Sequence, residues 1–130
     1  MQKDILYTKK APEPIGPYSQ GIYLSWESQK LIFTSGQVAI DPATNTFTNG
    51  NIKEQTKQVL ENISSLLAES GSDLKRVVKT TCYLKHMTDF DEMNAVYAEY
   101  FGESKPARST VGVQRLPKDA LVEIEVIAYI

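Results

Sequence analysis

Cysteine and histidine are almost absent: the 130 residues hold one of each, Cys82 and His86. A lone cysteine forms no internal disulfide, and a lone histidine leaves no repeated Cys/His spacing for a structural metal. The reducing cytosol is the compartment that suits this composition. Neither sign of charge dominates. Fourteen basic and sixteen acidic residues leave a formal net charge of -2, so no global field draws the chain to nucleic-acid phosphates or anionic membranes. No apolar run approaches a membrane span, and Met1-Gln2-Lys3-Asp4 is charged where a secretory signal has an apolar centre. Internal repeats and low-complexity tracts are missing too. What is present is 42% hydrophobic residues in a length suited to one domain, so a single domain over 1–130 is expected.

The period of the apolar residues changes along the chain. Asp4 to Thr8 reads as a short edge strand before a proline-punctuated loop, Ala11-Pro12-Glu13-Pro14-Ile15-Gly16-Pro17, which continues no regular element and delivers Tyr18. Ser19 to Leu24 and Lys30 to Ser35 are β-rich and joined by a polar turn, and a loop runs from Asp41 to Gly50. From Ile52 the spacing becomes helical through Thr56, Val59, Leu60, Ile63, Leu66 and Leu67. Asn51 with Glu54 predicts a capping box, and Gly71 a stop. Val77 to Lys85 returns to β character, and Phe90, Met93, Tyr97, Tyr100 and Phe101 trace a second helical stripe between Asp89 and Gly102. Two closing strands, Lys105 to Val111 and Leu121 to Ile127, flank the turn-rich link Gln114 to Asp119 and read as a hairpin. The order βββ-α-β-α-ββ predicts an α+β fold with both helices on one face of a sheet.

The closing strands carry the chemistry. In the first, Arg108, Thr110 and Gln114 share one face and Val111 and Val113 the other; in the second, Glu123 and Glu125 oppose Val122, Ile124, Val126 and Ala128. If both apolar faces bury against one core, the guanidinium and the carboxylates share the opposite face. An arginine that grips a carboxylate as a fork, beside a glutamate that handles protons, outlines a small-molecule site. The same face would hold Lys79, Thr81, Tyr83, Leu121 and Ile127. It is too apolar to be solvated and too polar for a monomer core, so other copies of the chain are expected to cover it and ligand sites to lie between subunits.

Each of these residues also has a plainer reading. Arg108 is either half of a structural ion pair with a neighbouring glutamate or an anion-capturing group. Glu123 and Glu125 are either polar positions on a wet sheet face or include one proton carrier. Tyr18 closes the core edge or walls a pocket; Ser35-Gly36 makes a turn or lets a substrate approach backbone amides. Cys82, on the apolar alternation of its strand, reads as a buried spectator, and His86, without a partner motif, as non-catalytic. Lys75, Arg76 and Lys79 read as a solvated face.

Taken together, Ile15-Gly16-Pro17-Tyr18-Ser19-Gln20, Thr34-Ser35-Gly36-Gln37, Gln55-Thr56-Lys57-Gln58-Val59-Leu60-Glu61-Asn62, Pro106-Ala107-Arg108-Ser109, Arg115-Leu116-Pro117-Lys118-Asp119 and Glu123-Ile124-Glu125 resemble the reactive-intermediate deaminase (Rid, or YjgF) family over the whole chain. The resemblance implies a chorismate-mutase-like α+β fold: a mixed six-stranded sheet with two helices on one face, in a homotrimer with a central barrel-like core and clefts between subunits. It implies a cytoplasmic hydrolase, a 2-iminobutanoate/2-iminopropanoate deaminase. Such an enzyme converts 2-aminoacrylate and 2-aminocrotonate, released by pyridoxal-phosphate-dependent serine and threonine dehydratases, to 2-keto acids and ammonia. Neither a cofactor nor a metal is implied, and neither nucleic acid nor membrane is expected as a partner.

By the same resemblance Arg108 would hold the substrate carboxylate through paired hydrogen bonds that lysine does not reproduce. Gly36 would add a backbone donor beside Ser35, Tyr18 a pocket wall, and Asn94 a pocket-side amide. Glu123 would deprotonate the attacking water and return a proton to the departing amine. Many members carry cysteine where this chain has Thr110, whose hydroxyl binds water or ligand but supplies no thiolate. Two other functions compete. A non-catalytic metabolite-binding trimer would need Arg108 but not a proton-handling Glu123. A ribonuclease or translation inhibitor is disfavoured by the acidic balance, the lack of paired histidines and the lack of an aromatic platform among basic residues.

Overall fold

The computed structural model describes residues 1–130. Gln2–Leu6 (β1) pairs antiparallel with Gly21–Trp26 (β2), which returns through Glu27-Ser28 as Gln29–Thr34 (β3). This turn is tighter than the polar run suggests, because the β alternation persists to Trp26 and Glu27 takes a left-handed φ of 55°. The stretch expected as loop holds a small hairpin, Ile40–Asp41 (β4) with Thr46–Phe47 (β5), turned at Asn45 with φ 54°. Asparagine tolerates that region better than most side chains.

Ile52–Glu69 forms α1. Asn51 Oδ1 accepts from Glu54 N at 2.9 Å, and Glu54 Oε1 accepts from Asn51 N at 3.2 Å, so the capping box satisfies two otherwise orphaned donors. Gly71, at φ 85°, takes the left-handed conformation just beyond the helix end. Val77–Leu84 (β6), Phe90–Phe101 (α2), Ala107–Gly112 (β7) and Val122–Tyr129 (β8) complete the chain. The six long strands form one mixed sheet in the order β1-β2-β3-β8-β6-β7. Both helices cover one face of it, and the core lies between: Val59, Leu60, Ile63, Leu66 and Leu67 from α1 and Met93, Tyr97 and Phe101 from α2 pack with Cys82, Leu84, Val122, Ile124 and Val126.

The closing strands do not form a hairpin. β7 runs parallel to β6 at the sheet edge, while β8 inserts antiparallel between β3 and β6. Burial explains the choice. Val122, Ile124, Val126 and Ala128 are at most 2% exposed, a pattern that suits a central strand. β7 buries no residue fully, and Val111 is 44% exposed, which fits an edge. The link from β7 to β8 spans two strand spacings of about 4.8 Å each, a short reach for the residues available.

This topology corrects the expected faces. The register pairs Arg108 with Thr80 and Thr110 with Cys82, and both partners point at the helices, so Arg108 and Thr110 do too. Glu123 pairs with Tyr83 and Glu125 with Thr81 on the opposite, open face. Arg108 and Glu123 of one chain therefore lie on opposite sides of the sheet. The alternation holds within each strand; the difference arises at Val111, which is exposed at the sheet edge instead of packing in the core. Gln114 lies beyond β7 in the exposed link, and Leu121 packs at the margin of the helix-side core. The open face is otherwise more apolar than expected. Ile22, Leu24, Leu31 and Phe33 share it with Ile127 and Tyr129, and Ile5 beside them is 69% exposed.

Candidate functional site

A cleft of about 490 Å³ opens where the proline loop, the end of β3 and the β7–β8 link meet. Tyr18, Ser35, Gly36, Glu123, Glu13 and Lys118 are among its lining. The loop holds its shape through one buried amide. Gln20, 2% exposed, accepts from Thr8 N at 2.7 Å and donates to Thr8 O, Ala11 O and Pro12 O at 2.9, 3.2 and 2.9 Å. Prolines 12, 14 and 17 donate no backbone hydrogen bonds, so the loop depends on such a side chain. Tyr18, 54% exposed, accepts from Ile15 N at 3.3 Å and stands at the cleft wall.

The floor is rigid. Ser35 N donates to Gln20 O at 2.9 Å and its hydroxyl to Ser19 O at 2.5 Å. On the other side Gln37 and Ile124 exchange hydrogen bonds, 2.9 Å for Gln37 N to Ile124 O and 3.1 Å for the reverse. Gly36 lies between these pins, against the carboxyl of Glu123. Ser35 thus serves the loop scaffold as well as the cleft lining. Glu123 is half-buried, and desolvation, followed by the like charge of Glu125, raises its pKa above the ordinary carboxylate value. Glu125 is held by Tyr83, whose hydroxyl donates to it at 2.9 Å, and it does not line the cleft. The environment thus favours the proton-holding form of Glu123 more than an open surface would, a property suited to acid–base work.

Arg108 lies elsewhere. Its Nη1 donates to Asn94 Oδ1 at 2.7 Å, and its guanidinium stands 4.6 Å from the Tyr97 ring centre and 5.5 Å from that of Phe90. Asn94 therefore orients the arginine from α2 and does not line the cleft of its own chain. Tyr97 is itself fixed by a 2.8 Å hydrogen bond between its hydroxyl and Thr80 Oγ1. The ion-pair reading of Arg108 fails: the chain's single ion pair is Arg115–Asp119. Arg108 is thus a positioned cation, backed by aromatic rings, with no carboxylate of its own chain to neutralise it.

Thr110 is also absent from the cleft. Its Oγ1 is buried with no oxygen or nitrogen partner; only the Cys82 thiol, a weak hydrogen-bonding group that burial pushes up to about 11, stands beside it. An unpaired buried hydroxyl costs about 1–3 kcal/mol, so Thr110→Val is expected to raise the thermal unfolding midpoint; a lower midpoint would show that the hydroxyl is satisfied in the assembled protein. Cys82 is buried, and His86 is exposed after β6, outside the cleft. No cluster of three or more His, Cys, Asp and Glu side chains is placed to hold a metal ion. No helix is long and apolar enough to cross a membrane.

Several cleft residues escaped the sequence reading. Gln20 and Gln37 stood inside motifs without a visible task, because their work is to bond backbone groups distant in sequence. Lys118 looked like an ordinary turn residue. Its left-handed φ of 61°, followed by 53° at Asp119, belongs to a turn that brings the link to the cleft.

The family described as Endoribonuclease L-PSP matches residues 8–130. A RutC family protein of Pyrococcus abyssi is 57% identical, covering 99% of this chain and 98% of its own length. Reactive Intermediate Deaminase A, chloroplastic, of Arabidopsis thaliana is 43% identical over 98% of this chain and 66% of its own. The crystal structure of YyfA from Yersinia pestis, of the conserved Rid protein family, superposes with a TM-score of 0.91 at 43% identity, covering 99% of this chain and 100% of that one. The sheet with its two helices and these matches along the whole chain place the protein in the YjgF/RutC/Rid family.

Proposed function

We propose that this protein is a cofactor-independent imine and enamine deaminase, acting on the 2-imino acids released by pyridoxal-phosphate-dependent dehydratases in the cytosol. It works as a homotrimer in which the Glu123 cleft of one copy is completed by Arg108 of a neighbour. The observation that carries the reading is the separation itself. A cleft with a half-buried carboxyl lacks a free arginine, while a free, oriented arginine stands on the other side of the sheet, at its edge. The uncovered apolar residues Ile22, Phe33 and Ile127 give the open face a reason to meet other copies. The name of the Arabidopsis relative supports the same chemistry.

In this reading the arginine fork of the neighbour binds the substrate carboxylate, and Tyr18 and Gly36 bound its other side. An enamine first becomes the imine by taking a proton at its terminal carbon. That imine is formed protonated on nitrogen; Glu123 then removes a proton from water as the oxygen bonds to C2, and the C=N electrons move to nitrogen, leaving a neutral amine. The resulting carbinolamine takes the proton from Glu123 onto its amine; as the C–N bond breaks, the hydroxyl gives its proton to solvent, balancing the one taken up by the enamine carbon, and ammonia and the 2-keto acid leave. Glu123 ends as it began. The ribonuclease reading finds less support, since His86 lies outside the cleft and the net charge is -2.

Timing keto-acid release after mixing the purified protein with a dehydratase that generates 2-aminoacrylate tests the activity. Faster release than in the buffer control is expected; an unchanged rate together with 2-oxobutyrate binding would favour the metabolite-binding trimer. Sedimentation equilibrium is expected to give three times the chain mass at micromolar concentration. A monomer there would remove the shared site.

A further inference from the structure

The glycine at position 36 is not called for by its backbone. Its φ is outside the left-handed region, unlike that of Gly16 or Gly71. Space demands it instead. A Cβ built on Gly36 would overlap Glu123 Oε1 and lie 2.9 Å from Cδ and 3.1 Å from Cγ, closer than real Cβ atoms come without something shifting. The backbone is the less able to yield, because the Ser35 and Gln37 hydrogen bonds pin it on both sides. Glu123 is the movable partner, its carboxyl being the far end of a flexible chain. We propose that Gly36 is a positioning residue: the absence of a side chain makes the seat on which the Glu123 carboxyl lies within the cleft, and any larger residue turns the carboxyl out of it.

This inference rests on Glu123 as the proton carrier, and it differs from the donor role, because alanine keeps the backbone N–H. Around the carboxyl stand Glu125 on its own strand, Tyr83 from β6, and Lys118, Glu13 and Tyr18 at the cleft. None replaces the seat.

Gly36→Ala is expected to fold and to lose about 10²-fold in kcat with little change in KM, the cost of misplacing a reacting group by about an ångström. The decisive measurement is a double-mutant cycle with Glu123→Gln. If alanine acts only by displacing Glu123, adding Gly36→Ala to Glu123→Gln costs nothing further. Multiplying losses would overturn the proposal. An NMR titration of the Glu123 carboxyl provides a readout that needs no turnover. In Gly36→Ala its pKa should fall toward the ordinary carboxylate value as the group enters water; an unmoved pKa would overturn the proposal even if the protein proved not to be a deaminase. Conversely, a parent protein that hydrolyses no imine, combined with a shifted pKa in the variant, would overturn the deaminase reading and keep the seat. Should Gly36→Ala fail to fold, Glu123→Ala in the same chain must restore folding by removing the collision. A double variant that also fails would show that the glycine serves the backbone alone.

Discussion

Glu123→Gln lowers imine turnover by about 10²–10⁴-fold, the range of a lost general base, while 2-oxobutyrate still binds. Glutamine keeps the shape of the side chain and part of its hydrogen bonding but accepts no proton from water. Calorimetric titration with the keto acid and the coupled dehydratase assay separate the two effects. The pH dependence follows from the same carboxyl. Its pKa is raised by burial and by Glu125, so activity in the parent should fall on the acid side with a midpoint above the ordinary carboxylate value. Stability moves in the opposite sense. A carboxyl whose folded-state pKa is raised favours the fold below its unfolded value, and that contribution is lost as pH rises through the folded value. Glu123→Gln should therefore be the more stable protein at neutral pH, with the advantage shrinking as pH falls through that window. Near-normal turnover in the variant would move the base elsewhere. Glu125 would be next, although Tyr83 holds it outside the cleft.

Mixed assemblies of two inactive variants regain activity. Arg108→Ala removes the anchor and Glu123→Gln the proton carrier, so each alone should be nearly silent. If the cleft of one copy uses the arginine of the next, unfolding the two variants together and refolding them at equal amounts rebuilds complete sites wherever a Glu123→Gln subunit lends its Arg108 to an Arg108→Ala subunit. With random assembly of cyclic trimers this occurs at about a quarter of the clefts, so about a quarter of parental activity per site is expected. The opposite placement of Arg108 and Glu123 on the sheet is what makes this test informative. No recovery in trimers shown by mass to be mixed would mean that Arg108 does not complete the site. Arg108→Lys should not substitute for the parent residue, since an ammonium lacks the planar fork and its stacking on Tyr97.

Much of the element order was legible because it rests on local chemistry. The capping box at Asn51 and Glu54, the 3.6-residue stripe of α1 and the glycine that follows it act over a few residues, so their pattern survives in a linear reading. Alternation places Glu123 and Glu125 together opposite a face that is plainly core; the family resemblance, not the period, chooses Glu123 between them. The partners of Arg108 could not be read in this way. Asn94, Tyr97 and Phe90 are on a helix that packs against its strand only after the β6–α2–β7 crossover has closed.

The sequence by itself determined which residues alternate, where helices begin and stop, and that a carboxylate and a guanidinium sit on the last two strands, because those properties depend on side-chain period and near neighbours. Tertiary structure alone decided that β8 enters the sheet between β3 and β6 while β7 goes to the edge. That choice turned Arg108 toward the helices and left Glu123 on the open face with Gly36 as its seat. The physical reason is that strand pairing is a competition for burial among distant segments. The most apolar strand takes the centre, and the register it leaves to its neighbours fixes the face on which each charged side chain emerges.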